Sequence, residues 1–476
     1  MTPDWQVIMD VGKSAALYIA ITTIAVGVIQ NVFYLIQLVV AWWVLHRKPK
    51  ILDSAEAWWK LSDAALPIAL LVPAYNEEAT IVESVRSLLA LHYPNFQVIV
   101  INDGSNDRTL DKLITTFDLK PADVAYVEAV EHQPVREIYT SSSQSRLLVV
   151  DKENGGKADA LNAGINISRS PLFCAVDADS ILEADSLIRV VEAFMEETDR
   201  VVAVGGTIRL ANGCQVRSGR VLSVGLPKNL VALFQIVEYL RAFLFGRLAL
   251  GSINAMLLVS GAFGIFRRSA VLAIGGYSQG TVGEDMEIIV KLHRYMCETN
   301  KDYEIRFIPE PVCWTEAPES LKILGNQRKR WQRGALETFF KHIRMLGNPR
   351  YGVAGVVGFV QVFIVDVIAP VVEAFGYVLM PIFWLMDVLS WEFFAAYLAI
   401  SFVFGIFISV SSLILEEMEL KRFPSAADLC VLTAVAVLEN FGYRQLNNVW
   451  RMLGWWQFLR GEKGWGKMTR VGFKET

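Results

Sequence analysis

The chain has 476 residues, 53% of them hydrophobic, and a mean hydropathy of +0.36, which is too apolar for a typical soluble protein. A formal charge of −4 offers no basic field, so no nucleic acid is expected among its partners. Five cysteines and five histidines are scattered without metal-ligand or redox spacing, which argues against a zinc centre and leaves packed free thiols.

Taken in order, residues 15–45 are nearly free of charge, and His46, Arg47, Lys48 and Lys50 follow at once. The pattern predicts one transmembrane helix within 1–50, with the N-terminus outside and the next domain in the cytoplasm. Gln30, Asn31 and Gln37 are expected to face other helices or a polar path.

From Ala65 to about Pro318 the pattern becomes α/β, which predicts a cytoplasmic domain over 51–318. An apolar run, Ala65 to Val72, ends in Pro73-Ala74-Tyr75-Asn76-Glu77-Glu78. A helix follows over Ile81 to Leu91, then a strand over Phe96 to Ile101 that ends at Asn102-Asp103-Gly104-Ser105. Leu110 to Phe117 reads as helix, and residues 118–146, with a serine-rich run, as a loop excursion. Leu147 to Asp151 is a third strand, Lys157 to Ile167 a helix, and Leu172 to Val176 a fourth strand followed by Asp177-Ala178-Asp179. Polar groups thus recur just past strand C-termini, where open parallel sheets bind ligands. Neither a dinucleotide fingerprint nor a Walker loop is present. Residues 228–258 form a long apolar stretch interrupted by Glu238, Arg241 and Arg247, expected to pack near the membrane face or over the cleft.

Residues 319–350 predict an amphipathic interfacial helix from about Ser320 to Leu346. Gln327, Arg330, Trp331 and Gly334 share one face, and bases such as Arg328 and Arg333 are expected to meet anionic headgroups. Within a transmembrane region over 351–445, Val353 to Leu385 forms one kinked span or two, Phe393 to Leu415 is a clean span, and Ala426 to Leu438 is shorter. The tail, 446–476, is basic and expected to be cytoplasmic. Either Val353 to Leu385 crosses once and Ala426 to Leu438 is re-entrant or interfacial, or Val353 to Leu385 crosses twice and Ala426 to Leu438 crosses back.

The chemistry is carried by acids at strand ends. Asp177 and Asp179 alternate in an extended end, so both carboxylates can converge on Mg²⁺ or Mn²⁺ bridging a diphosphate. Asp103 can accept from a nucleobase N–H, and Lys157, opening a helix after Gly155-Gly156, suits phosphate. Glu284 and Asp285 start another helix, with Asp285 the candidate general base for an acceptor hydroxyl. Arg330 can stabilise a diphosphate leaving group, Trp331 can stack on an acceptor sugar, and Gln327 can hold phosphate or sugar oxygens.

In this order, Val72-Pro73-Ala74-Tyr75-Asn76-Glu77, Asp103-Gly104-Ser105, Gly156-Lys157, Asp177-Ala178-Asp179, Gly283-Glu284-Asp285 and Gln327-Arg328-Lys329-Arg330-Trp331 resemble the motifs of membrane-integrated family 2 glycosyltransferases, the superfamily of cellulose, hyaluronan and poly-N-acetylglucosamine synthases. The resemblance implies an α/β GT-A-like domain inserted between transmembrane helices, a UDP-sugar donor, and inverting transfer to a growing glycan. It implies Asp103 as the uridine contact, Lys157, Asp177 and Glu284 on the donor side, and Asp179 as ligand of Mg²⁺ or Mn²⁺. It also implies Asp285 as base, and Gln327, Arg330 and Trp331 at the diphosphate and acceptor end. The alternative is a non-processive membrane enzyme adding one sugar to a lipid acceptor. Two departures bear on product: Gly283 stands where cellulose synthases usually place Thr, and Ser260-Gly261-Ala262-Phe263-Gly264 lacks their usual Cys. The chain has one clear N-terminal span, so a homo-oligomer or export partner is a further expectation. The expected location is the inner (plasma) membrane, multi-pass, in contact with lipid.

Overall fold

The computed structural model describes residues 5–47, 65–196, 200–217, 219–420 and 425–462. Lys48, Lys50 and the basic residues from Lys463 onward, which entered the expected orientation, lie outside them.

The strands are β1 (Ile68–Ala74), β2 (Phe96–Asp103), β3 (Leu119–Pro121), β4 (Val135–Ser141), β5 (Leu147–Lys152), β6 (Leu172–Val176), β7 (Ile181–Leu182), β8 (Val201–Leu210), β9 (Gln215–Arg217), β10 (Arg220–Ser223), β11 (Phe263–Arg267) and β12 (Glu304–Thr315). Ten of them form one sheet in the order β3-β4-β5-β2-β1-β6-β11-β8-β12-β7. Its centre is parallel: β1 pairs with β2 and β6, and β2 with β5. The register sets Leu71 opposite both Ile99 and Ala175. These strands are near-continuous runs of Ile, Val and Leu because both faces are buried, as parallel sheets require. Antiparallel β11 joins β6 to β8 and turns the second half of the sheet.

Residues 118–146 are not the loop excursion that the serine-rich run suggests. They carry β3 and β4, and β4 pairs antiparallel with β5 at the sheet edge. Val-Arg-Glu-Ile-Tyr-Thr-Ser is half exposed, so edge pairing and not an apolar run defines that strand.

The helices are α1 (Trp5–Arg47), α2 (Ile81–Leu89), α3 (Thr109–Phe117), α4 (Lys157–Ile167), α5 (Ser186–Glu196), α6 (230–252), α7 (Arg268–Ala273), α8 (Glu284–Glu298), α9 (Leu321–Lys341), α10 (Ala354–Leu385), α11 (Trp391–Met418), α12 (Ala426–Leu438) and α13 (Tyr443–Leu459). Among the described residues, three helices are long and apolar enough to cross a membrane: residues 12–47 of α1, then α10 and α11. A fourth is possible only if α12 and α13, bent by 56° at their junction, form one broken span. α10 is one continuous helix despite Pro370 and Pro381, with π turns between 354 and 368 that absorb the irregularity. Helix α9, expected at the membrane interface, stops at Lys341, short of Leu346, and a 3-10 turn follows.

Polar side chains tie the membrane helices together. Asn31 on α1 donates to the Ile400 carbonyl at 3.2 Å, and the Gln37 and Gln361 amides meet at 2.6 Å. α6 packs against both α1 and α11, between the sheet and the apolar helices.

Candidate active site

The loops at the C-terminal ends of β1, β2 and β6 open on one side of the sheet, with the start of α8 and one face of α9 beside them. Asp103 ends β2. Its carboxylate is buried and accepts from Lys152 Nζ at 2.7 Å, Asn154 Nδ2 at 3.2 Å, and the backbone N–H groups of Gly155 at 3.0 Å and Gly156 at 2.7 Å. Four donors occupy the four lone-pair sites of an ionised carboxylate. Asp103 therefore shapes the turn that leads into α4. Gly156 sits there at φ +88°, a conformation that favours glycine. Lys152 also reaches Asp159 at 2.5 Å, and both side chains are fully buried. Lys152 and Asp159 were not legible as site residues. Their polar types inside an otherwise apolar strand end and helix face were the available signal.

Lys157 opens α4 and lies on the acids. Its Nζ stands 2.6 Å from Asp177 Oδ1, 3.4 Å from Glu284 Oε1 and 3.3 Å from the Gly261 carbonyl. Burial alone would push this ammonium down, but Asp177, Glu284 and Asp285 outweigh it and hold its pKa above the ordinary value. Burial is the main reason the Glu284 carboxyl titrates above its ordinary value. Lys157 opposes that rise and Asp285 adds to it. A Cβ on Gly261 would stand 2.9 Å from Lys157 Nζ and 3.6 Å from Asp285, so glycine there makes room for the charged cluster.

Asp285 keeps its carboxylate at the helix start, where Oδ1 accepts from the Met286 N–H at 2.9 Å. Asp179 lines the same cavity two residues beyond Asp177. Among the described residues no three His, Cys, Asp or Glu side chains form a metal cage. Asp177 and Asp179 both line the cavity, and Mg²⁺ or Mn²⁺ bind through one or two such carboxylates together with substrate phosphates.

Helix α9 is locked to this cluster by backbone contact. A Cβ on Gly283 would lie 2.9 Å from Gly334 Cα, and one on Gly334 would lie 2.8 Å from Gly283 Cα. Glu337 of α9 accepts from Thr281 Oγ1 at 3.0 Å and from the Val282 N–H at 3.1 Å. This contact turns Gln327, Arg330 and Trp331 toward the cavity. The Gln327 side-chain Oε1 is buried without a hydrogen-bond partner among the described residues, and Trp331, 43% exposed, carries the Arg328 guanidinium 4.4 Å from its ring centroid. Arg328 and Arg333 do not meet headgroups as the composition of the helix suggests. Both are buried, with Arg328 2.6 Å from Glu238 and Arg333 3.5 Å from Glu337. A carboxylate within reach makes burying each guanidinium affordable where lipid phosphate would otherwise compete.

All the predicted residues, Asp103, Lys157, Asp177, Asp179, Glu284, Asp285, Gln327, Arg330 and Trp331, line one cavity of about 2410 Å³. The cavity continues to Tyr34 and Gln37 of α1, Arg241 and Arg247 of α6, and Gln361 and Asp366 of α10.

Among relatives, the poly-beta-1,6-N-acetyl-D-glucosamine synthase of Staphylococcus epidermidis is 28% identical over 275 residues, 58% of this chain and 56% of that protein. That of Staphylococcus aureus (strain COL) is 29% identical over 318 residues, 64% and 62% of the two chains. The chain thus spans about three fifths of the length of these relatives. The fold is similar to that of the mannosyltransferase PcManGT from Pyrobaculum calidifontis, solved with GDP-Man and Mn²⁺, with a TM-score of 0.54 at 16% identity, covering 92% of this chain and 99% of the other. The family model described as "Glycosyltransferase like family 2" matches residues 65–334, more than half of the chain, and the chain belongs to that family.

Proposed function

We propose that the chain is an inverting glycosyltransferase that elongates a β-linked polysaccharide from a UDP-sugar and passes it into its own membrane helices. The observation that carries this reading is the single cavity that joins the acidic strand ends, Asp285 and Trp331 to polar side chains on α1 and α10. The staphylococcal relatives, synthases of a β-linked N-acetylglucosamine polymer, support the substrate class. The catalytic domain lies on the cytoplasmic side of the inner membrane, where UDP-sugars are made.

In the transfer, the acceptor hydroxyl gives its proton to Asp285 as its oxygen bonds to the donor's anomeric carbon. The bond from that carbon to the β-phosphate breaks on the opposite face, and its electron pair leaves with UDP. Lys157 and Arg330 are the cations for the leaving charge, and Lys157 exchanges its contact with Asp177 for phosphate as the donor enters. Asp177 and Asp179 would hold a divalent cation, which supplies further charge neutralisation for the diphosphate. Trp331 offers an apolar plane to the acceptor ring, and Gln327 a polar edge. Asp103 acts on the donor side through the Gly155–Gly156 turn that it holds.

Purified protein in nanodiscs, given labelled UDP-sugars one at a time, tests the reading. Long alkali-stable polymer is expected, whereas a single sugar on lipid would replace it with the non-processive alternative. Asp285→Asn is expected to lower turnover by at least about 100-fold, since an amide does not take the proton. UDP affinity measured by calorimetry should stay unchanged. Wild-type rates in that variant would remove Asp285 from the role.

A further inference from the structure

The cations around the cavity are mostly spoken for. Lys157 stands on Asp177, Arg328 on Glu238, Arg241 on Glu439, and Arg451 on Asp366. Arg247 of α6 differs. It lines the cavity, its guanidinium Cζ lies over Phe243 3.8 Å from the ring centroid, and its Nη1 is buried with no hydrogen-bond partner among the described residues. No carboxylate among the described residues is within ion-pair distance of it. A partly buried cation left without a counter-ion is unfavourable, whereas a guanidinium held over an aromatic ring can still offer N–H groups to an anion. Burial holds its pKa down, to about 10, against the pull of the Asp285 charge, which puts Arg247 in the field of the proposed base. The segment that carries it, Leu240–Arg247, is a π turn inside α6, a distortion that often accompanies functional positions.

We propose that Arg247 is a phosphate-binding residue of the cavity that Asp285 also lines, additional to Lys157 and Arg330. The inference rests on the transferase reading. Two molecules can bring phosphate there: the donor, through its diphosphate, or a lipid-linked acceptor, through the phosphate that joins its glycan to the lipid. The second would approach from α1 and α11, against which α6 packs.

Arg247→Gln and Arg247→Lys in nanodiscs test it with two pairs of probes. UDP is compared with uridine by calorimetry, and a polyprenyl-phosphate acceptor with a phosphate-free β-oligosaccharide by initial rates. Arg247→Gln is expected to weaken the phosphate-bearing member of one pair by about tenfold or more and to leave its phosphate-free counterpart unchanged. Arg247→Lys should recover part of that loss. A selective loss for UDP assigns the donor as the source, and one for the polyprenyl phosphate assigns the acceptor. Melting temperature should hold or rise, because the variant removes an uncompensated charge. Equal behaviour of both members of both pairs overturns the proposal, as does a lowered melting temperature with indiscriminate losses, the mark of a structural arginine. Wild-type protein that binds no UDP and accepts no donor would instead overturn the transferase reading itself.

Discussion

Gly283 has room for a hydrogen and nothing larger, because the Gly334 backbone occupies the place of a side chain. Its φ of −116° is open to any residue, so space alone fixes it. Gly283→Ala must therefore push α9 outward, at a cost of about 1–3 kcal/mol for overpacking. The expected result is a lower melting temperature and a larger loss in kcat than in UDP affinity, since Gln327, Arg330 and Trp331 retreat together from Asp285. A wild-type kcat in this variant would mean that the close approach has no part in turnover. At this scale the sequence was informative about which acids matter and silent about their partners. Asp103, Asp177 and Asp285 announce themselves by following apolar runs. Lys152, which holds Asp103 from across the sheet, and Glu238, which neutralises Arg328, are paired by tertiary structure over 49 and 90 positions, and no local spacing encodes that.

At the scale of elements, the parallel strands were legible because burial on both faces leaves long Ile and Val runs. The edge strand β4 and the strands after Val176 were not, because their pairing is antiparallel, partly exposed or interrupted by bulges. The joint between α8 and the end of α9 carries a pH dependence. Glu287 is fully enclosed and meets Lys341 Nζ at 2.7 Å and His342 Nε2 at 3.2 Å. Burial works to raise its pKa, but the hydrogen bonds from His342 and Lys341 prevail and hold it at about 2. A depressed carboxylate stabilises the fold above its unfolded pKa and loses that contribution as pH falls through the folded value. Stability should drop between about pH 4.5 and pH 2, with this group contributing on the order of 2–3 kcal/mol. Glu287→Gln is expected to melt lower at neutral pH and to show a flatter acid limb in thermal scans. An unchanged acid limb would assign that dependence to other carboxylates.

At the scale of the whole molecule, the catalytic sheet and the membrane helices share one cavity. The Gln37–Gln361 contact lies where that cavity meets α1 and α10. Replacing both by Leu keeps the volume roughly constant and removes the polar edge that sugar hydroxyls would meet. Polymer length in nanodiscs is expected to fall, while the rate of first-sugar transfer to a soluble oligosaccharide stays near wild type. Unaltered length would argue against a product path along these helices. The sequence anticipated such a path from polar residues inside α1. It left the number of spans open, because a helix of 32 residues with two prolines reads equally well as one span or two.

The membrane-side wall of the cavity has one more property. Arg241 with Glu439, Arg328 with Glu238 and Arg451 with Asp366 form closed pairs, so their fields cancel a short distance from the surface. Under the proposed elongation, an uncharged chain would meet mainly short-range hydrogen bonding at these three pairs. Under the proposed polysaccharide synthesis, this wall suits a neutral saccharide.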